Sequence, residues 1–269
     1  MRGLLLKIYM ETRWPVLLFG AGLSIIMAIL TWVLPNLLTD LTALESMPLI
    51  KPVITALLGI DPDSQFSAQM TQAFLWVHPS VLATMWGHAV MYCTRTPAGE
   101  IDRGTVDFLL GLPVSRWKLH IAESIGGLIS GVLLFGTGLI GHFVIADRFA
   151  EEMRPSITSI VMIFCNMLSM YIAVATMTML VSSLSDHRNR AIGVVFAILL
   201  LSFLLNFLAQ FWKPARSWGR LSILEYYRPA NIIQSGVFPW TNVGILLLIG
   251  LVCWTTAGIV LKRRSICTV

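Results

Sequence analysis

The sequence predicts an all-α integral membrane protein with six transmembrane helices. Three observations carry this. Apolar residues make up 56% of the 269-residue chain and charged residues 12%, about half the ~25% charge of an average soluble domain. Mean hydropathy is +0.77. The apolar residues also collect into six runs, each close to the ~20 residues that cross a hydrocarbon core. A chain so composed is not a water-soluble enzyme, a disordered segment or a nucleic-acid-binding module. Its net charge of +5 comes from basic residues placed between apolar runs, as in cations flanking membrane spans, rather than from a phosphate-binding face.

Residues 1–14 interleave Leu4, Leu5, Ile8 and Tyr9 with Arg2, Lys7, Glu11 and Arg13. That pattern predicts an amphipathic helix lying in the cytoplasmic interface ahead of the first span. No small-residue cleavage site follows, so the segment does not read as a removable leader. The spans are expected over 15–35, 71–93, 121–145, 157–181, 191–212 and 243–261, within one membrane domain covering 15–269. Backbone groups inside lipid must be satisfied within the segment, so these runs are helices. Pro79 is expected to kink the second span.

An even number of spans puts both termini on one side. Arg2, Lys7, Arg13, Arg95, Arg103, Arg116, Lys118, Arg188, Arg190, Lys262, Arg263 and Arg264 fall on that side, twelve of the nineteen basic residues. The bias places both termini in the cytoplasm of a multi-pass protein of the cell (inner) membrane. Two long outer connections, 36–70 and 213–242, are expected to form short helices on the outer surface. In the first, these are 41–46 and 54–60 among Pro48, Pro52 and Asp61-Pro62. In the second, Tyr226, Tyr227, Phe238 and Trp240 serve as interface anchors.

Several chemistries are missing from the sequence. It contains no Gly-Lys dipeptide, and hence no P-loop. No histidine pair has metal-ligand spacing, no HExxH motif occurs, and Cys93, Cys165, Cys253 and Cys267 form neither a metal set nor a disulfide framework. The chain is therefore not expected to be an enzyme or to bind a metal or cofactor. His120 and Glu123, three apart, are the only pair that suggests an intramembrane active site. They support an alternative reading: an ATPase-independent membrane enzyme or scaffold. Gly127-Leu-Ile-Ser130-Gly131 carries one residue too many for a nucleophile motif. Its glycines, with Gly136, Gly138 and Gly141, predict a thin helix face for close packing. Intramembrane polar residues are costly and often functional. His78 in the second span and Asn206 and Gln210 in the fifth are such residues, the last two being four apart on one helix face.

The connection 94–118 is the most informative stretch. Ile101, Thr105, Phe108, Leu109 and Leu112 recur at helical spacing, with Glu100, Asp102, Arg103 and Asp107 on the other side and Pro113 as a stop. A helix lying on lipid headgroups usually has a basic polar face. This face carries three acids and one arginine, which suits a protein partner better.

The run Gly99-Glu100-x-x-x-Gly104-Thr105-x-x-x-Leu109-Leu110-x-x-Pro113-x-Ser115-Arg116 resembles the signature of permease subunits of ABC transporters of the ABC-2 type exporter class. The likeness extends to the six-span layout, the large first outer segment and the Ser182-Ser183-Leu184 turn before span five. Within the class it comes nearest to permeases linked to nitrous oxide reductase copper-site maturation and to general efflux relatives. The resemblance implies a permease that dimerises, binds two cytoplasmic ABC ATPase subunits carrying the ATP and Mg, and holds no nucleotide itself. It leaves room for an accessory extracytoplasmic protein and implies no nucleic acid.

Under the resemblance the helix after span two is the coupling helix seated in a cleft of the ATPase. Glu100, Asp102, Arg103 and Asp107 would then face the ATPase, and Gly104 and Thr105 would allow close approach. Pro113, Ser115 and Arg116 would shape the turn into span three. It also implies that spans two and five line a central path between protomers, where His78, Asn206 and Gln210 would contact or gate the cargo. The family often has Gly-Lys where this chain has Ala122-Glu123, so the glutamate is expected to find a new partner, with Lys118 or His120 nearest in sequence.

Overall fold

The computed structural model describes residues 2–38, 68–111, 113–149 and 154–264, and every described element is helical. In chain order the α-helices are α1 (Arg2–Leu38), α2 (Ala68–Val77), α3 (Pro79–Cys93), α4 (Ala98–Asp102), α5 (Val106–Leu110), α6 (Arg116–Ala146), α7 (Ile157–Leu184), α8 (Arg188–Phe211), α9 (Arg216–Gly219), α10 (Pro229–Ser235) and α11 (Trp240–Arg263). The expected outer helices over 41–46 and 54–60 lie outside the described residues.

Among the described residues, five helices are long and apolar enough to cross a membrane: α1, α6, α7, α8 and α11. The sequence predicts six, and the difference falls at one residue. The expected second span divides at His78, whose backbone (φ −58°, ψ 134°) leaves the helical region. Pro79 causes this: it has no N–H to continue the ladder and pushes the residue before it toward extended geometry. The resulting pieces, α2 and α3, have 10 and 15 residues. At ~1.5 Å per residue neither alone matches a ~30 Å hydrocarbon core. The chain resumes helix at once, with the Ser80 N–H donating to His78 Nδ1 at 3.3 Å and the N–H of Val81 to the His78 carbonyl at 2.9 Å.

A second expectation is corrected at the N-terminus. Residues 2–14 are not a separate helix, because α1 runs unbroken through Pro15 for 37 residues. That is about 55 Å at helical rise, well beyond the hydrocarbon thickness, so its charged first turns continue past the apolar part. Leu4, Ile8 and Thr12 are buried at four-residue spacing, whereas Tyr9 and Trp14 are exposed.

The first helix packs along α6, and α11 packs along α7, the most enclosed of the long helices; α3 also lies against α7. Trp76, Tyr171, Phe135, Met85 and Met170 fill the interior. The outward faces are apolar too: Leu18, Ile25, Phe196, Leu201, Leu248 and Leu251 are all exposed. In water such a surface would aggregate, whereas in lipid it is solvated.

Small residues set the α1–α6 distance. A Cβ on Gly141 would sit 2.0 Å from the Ser24 carbonyl oxygen, whereas one on Gly136 would meet nothing within 4 Å. Gly136 is therefore not part of the thin face. Gly141→Ala is expected to lower stability by about 1–3 kcal/mol through overpacking, and Gly136→Ala to leave it nearly unchanged. Thermal unfolding of the two variants in detergent makes the comparison, and equal midpoints would contradict the packing.

The 213–242 connection folds back over the bundle. Tyr227 is buried and donates to the Trp76 carbonyl at 3.1 Å, so it is a packing residue and not an interface anchor. Phe238 and Trp240 stack edge-on, with Trp240 exposed.

Candidate functional site: a charged hub at the ends of the helices

The resemblance-bearing stretch forms two five-residue helices, α4 and α5, where the periodicity predicts one. The break falls at Arg103-Gly104, with Gly104 at φ +67°, a left-handed conformation costing a residue with a Cβ about 1–2 kcal/mol. The break rotates the second half. Val106 is buried (1% exposed) and Phe108 is almost fully exposed (83%), the reverse of a single apolar stripe. Leu112 lies outside the described residues.

Glu100 lies ahead of the break, on α4. Expected on the outer polar face, it is 5% exposed and points into the chain. Lys7 Nζ from α1 donates to Glu100 Oε1 at 3.1 Å, Arg103 Nη2 lies at 3.4 Å, and Thr105 Oγ1 donates to Oε2. Burial works against this carboxylate. The hydrogen bonds from Thr105 and Lys7 and the charges of Lys7 and Arg103 outweigh it, so its pKa falls below the ordinary 4.5. A depressed pKa stabilises the fold above the unfolded value and loses that stabilisation as pH falls through the folded one. The stability gap between the native chain and Glu100→Gln is therefore expected to hold at neutral pH and to close below about pH 4.5. Melting curves across pH 3–7 show whether it does, and a gap independent of pH would remove the ion-paired carboxylate.

Beside Glu100, the turn after α3 buries Arg95 (8% exposed). Its guanidinium donates through Nη1 to Glu11 of α1 and through Nη2 to Glu123 Oε2 of α6 at 2.5 Å, and it lies 5.4 Å from the centre of the Tyr92 ring. Burial opposes the Arg95 charge, but the carboxylates of Glu123 and Glu11 outweigh that and raise its pKa, keeping it charged. Lys7 also pairs with Glu11 at 3.0 Å. Glu123 is thus partnered by Arg95 and not by Lys118 or His120. His120 turns elsewhere, its Nε2 3.1 Å from the Trp254 carbonyl and its ring stacked on Trp254. The pair that suggested an enzyme does not face one space.

The hub reaches the other helices as well. Asp102 Oδ1 and His187 Nδ1 are 2.9 Å apart, and that hydrogen bond, more than any other contact, lowers the Asp102 pKa. The Ala98 N–H donates to Ser182 Oγ of α7 at 3.3 Å. Arg188 of α8 donates to Thr94 Oγ1 at 3.4 Å and to the Met91 carbonyl at 3.0 Å. Arg116 donates to the carbonyls of Leu261 and Arg264 at 3.0 and 2.5 Å, and Ser115 caps α6 by accepting from the Lys118 N–H. The 94–116 segment is therefore bonded to α1, α6, α7, α8 and α11. Arg103, Gly104, Asp107, Phe108, Pro113 and Ser115 remain on its exposed side.

The path candidates are not assembled in the same way. Asn206 is buried and its Nδ2 lies 3.3 Å from Glu225 Oε2, in the connection that folds back over the bundle. His78 stays beside Ser80 and Phe74. The small space next to Asn206, about 20 Å³, is lined by Val77 and Arg228 but by neither His78 nor Gln210.

Sequence reasoning missed Lys7, Glu11 and Arg95 as members of the site. The available signal was complementarity: Glu123 is the only acid within the third apolar run, and Arg95 follows the second run directly.

A bundle of long apolar helices with an apolar exterior, closed at one end by buried ion pairs around a short exposed hairpin, defines a multi-pass membrane protein. Residues 21–264 match the model of the family described as ABC-2 family transporter protein, and the chain belongs to that family. The match covers the family as a whole and does not single out the permeases of nitrous oxide reductase maturation. No curated protein and no solved structure matches the chain.

Proposed function

We propose that the chain is the permease subunit of an ATP-driven exporter. Two copies form the membrane part, and two cytoplasmic ABC ATPase subunits on separate chains bind and hydrolyse ATP with Mg. This chain does no covalent chemistry. It sits in the cell (inner) membrane with both termini and the 94–116 segment in the cytoplasm, the side that the basic residues favour.

The observation that carries the reading is the hub. The segment that carries the exposed tip is bonded to five helices, so a partner that moves the tip biases all of them between two arrangements. Asp102, Arg103, Gly104, Asp107, Phe108, Pro113 and Ser115 meet the ATPase. Glu100, Thr105 and Arg116 hold the tip from behind. His78, Asn206 and Gln210 lie toward the opposite end, where cargo leaves.

The test is to co-purify the chain with an ABC ATPase encoded beside it and reconstitute both in vesicles. A complex with two copies of each, whose vanadate-sensitive ATP hydrolysis drives cargo out of the ATPase-side compartment, is expected. Failure to capture any such ATPase would sink the proposal.

A further inference from the structure

A cavity of about 350 Å³ opens between the first half of α1, the end of α3 and the start of α8. This is within the range of small-molecule sites. Its walls change character along α1. At one end are Glu11, Arg95, Arg103 and Arg188. Toward the other, Phe19 and His88 line it, their rings 5.5 Å apart. The step from Glu11 to Phe19 is eight residues, about 12 Å along a helix. One end is therefore cationic and the other apolar and aromatic.

The cations are not equally satisfied. Arg95 is held by two carboxylates and Arg103 lies beside Glu100. The side-chain hydrogen bonds of Arg188 go to uncharged acceptors, the Met91 carbonyl and Thr94 Oγ1, while its backbone N–H donates to Asp102. Arg95 and Arg103 are close enough to Arg188 for their charges to act on it, and Asp102 acts in the opposite sense. Of the three guanidinium groups on the lining, that of Arg188 is the one bonded to neutral acceptors, and guanidinium forks fit phosphate oxygens.

We propose that this cavity binds a phosphate-bearing amphiphile, with the phosphate at Arg188 and Arg103 and the apolar chain along Phe19. The inference needs only the membrane placement of the chain. Binding is measured without the ATPase, so its failure is distinct from failure of the transport reading.

The full chain, purified in neutral maltoside micelles, is titrated with dodecyl phosphate, inorganic phosphate and dodecyl trimethylammonium. Saturable binding of dodecyl phosphate at one per chain is expected, about tenfold tighter than inorganic phosphate, with none of the cation. Arg188→Gln is expected to weaken it about tenfold, as is proper to a lost charge-assisted bond. Arg103→Gln, at an exposed position that does not threaten folding, should weaken it in the same direction. Phe19→Ala should weaken dodecyl phosphate but not inorganic phosphate. Lys262→Gln, an exposed cation at the same end of the bundle, should change nothing. Three results would overturn the proposal: no saturable binding, equal loss in Lys262→Gln, or inorganic phosphate binding as tightly as the amphiphile. The last would assign the site to the free ion.

Discussion

Arg95→Met is expected to cost about 3–5 kcal/mol of stability, the largest effect of any single substitution at the charged end of the bundle. The methionine replaces the stem volume of the arginine but removes the partner of Glu123, which is only 7% exposed. A carboxylate left unpaired at that depth has neither water nor a cation to solvate it. Glu11, exposed and still paired with Lys7, loses less. Adding Glu123→Leu to Arg95→Met removes both charges and should restore most of the loss, because apolar pairs of similar volume replace buried ion pairs with little penalty.

Thermal unfolding of the two single variants and the double variant in one detergent gives the cycle. A double variant no more stable than Arg95→Met would contradict the assignment of the cost to a stranded carboxylate. If the pair also links α1, α3 and α6 during transport, the double variant recovers its melting temperature but not its ATP-driven transport.

Phe108→Glu is expected to leave the fold intact and to weaken capture of the ATPase about ten- to hundredfold. Exposed positions usually change stability by less than about 0.5 kcal/mol, and Phe108 is nearly free of its own chain. If the ATPase buries that ring, losing it removes about 1.5–3 kcal/mol, which sets the fold-change. Val106→Glu provides the contrast. That side chain is buried, so a charge there should damage the segment itself and lower stability as well as binding. Pull-down titrations of the ATPase on both variants, alongside melting curves, separate the two. Capture by Phe108→Glu as strong as by the native chain would move the docking surface elsewhere. A membrane-impermeant thiol reagent should reach Phe108→Cys only in opened cells, and labelling of intact cells would invert the topology.

The membrane class was legible from composition because lipid-facing residues need no polar cover, and a chain that is 56% apolar has too little of it. Span positions for α6, α7, α8 and α11 followed from run length alone, since the hydrocarbon thickness dictates them. Pro79 was readable as an interruption. That it divides the span into two helices, leaving five long ones among the described residues, was decided by the backbone at His78. The family signature over 99–116 was readable too, and the family match over 21–264 agrees with it.

Periodicity failed where glycine permits a reversal of direction. The expected stripe through Ile101, Thr105 and Phe108 assumes that successive residues turn by a constant angle, and Gly104 at positive φ ends that regularity. Phe108 therefore went outward, whereas Glu100, ahead of the break, turned inward to Lys7. The charge network was illegible for a different reason. Lys7, Glu11, Arg95 and Glu123 lie on two helices and the turn after α3, separated by up to 116 positions, and nothing local in the sequence pairs them. The sequence by itself determined which segments leave water, because that follows from residue type. Which charges meet at the helix ends, and which side chain the hairpin presents, were decided by the tertiary packing. A buried charge must find its counter-charge wherever the fold brings one within reach.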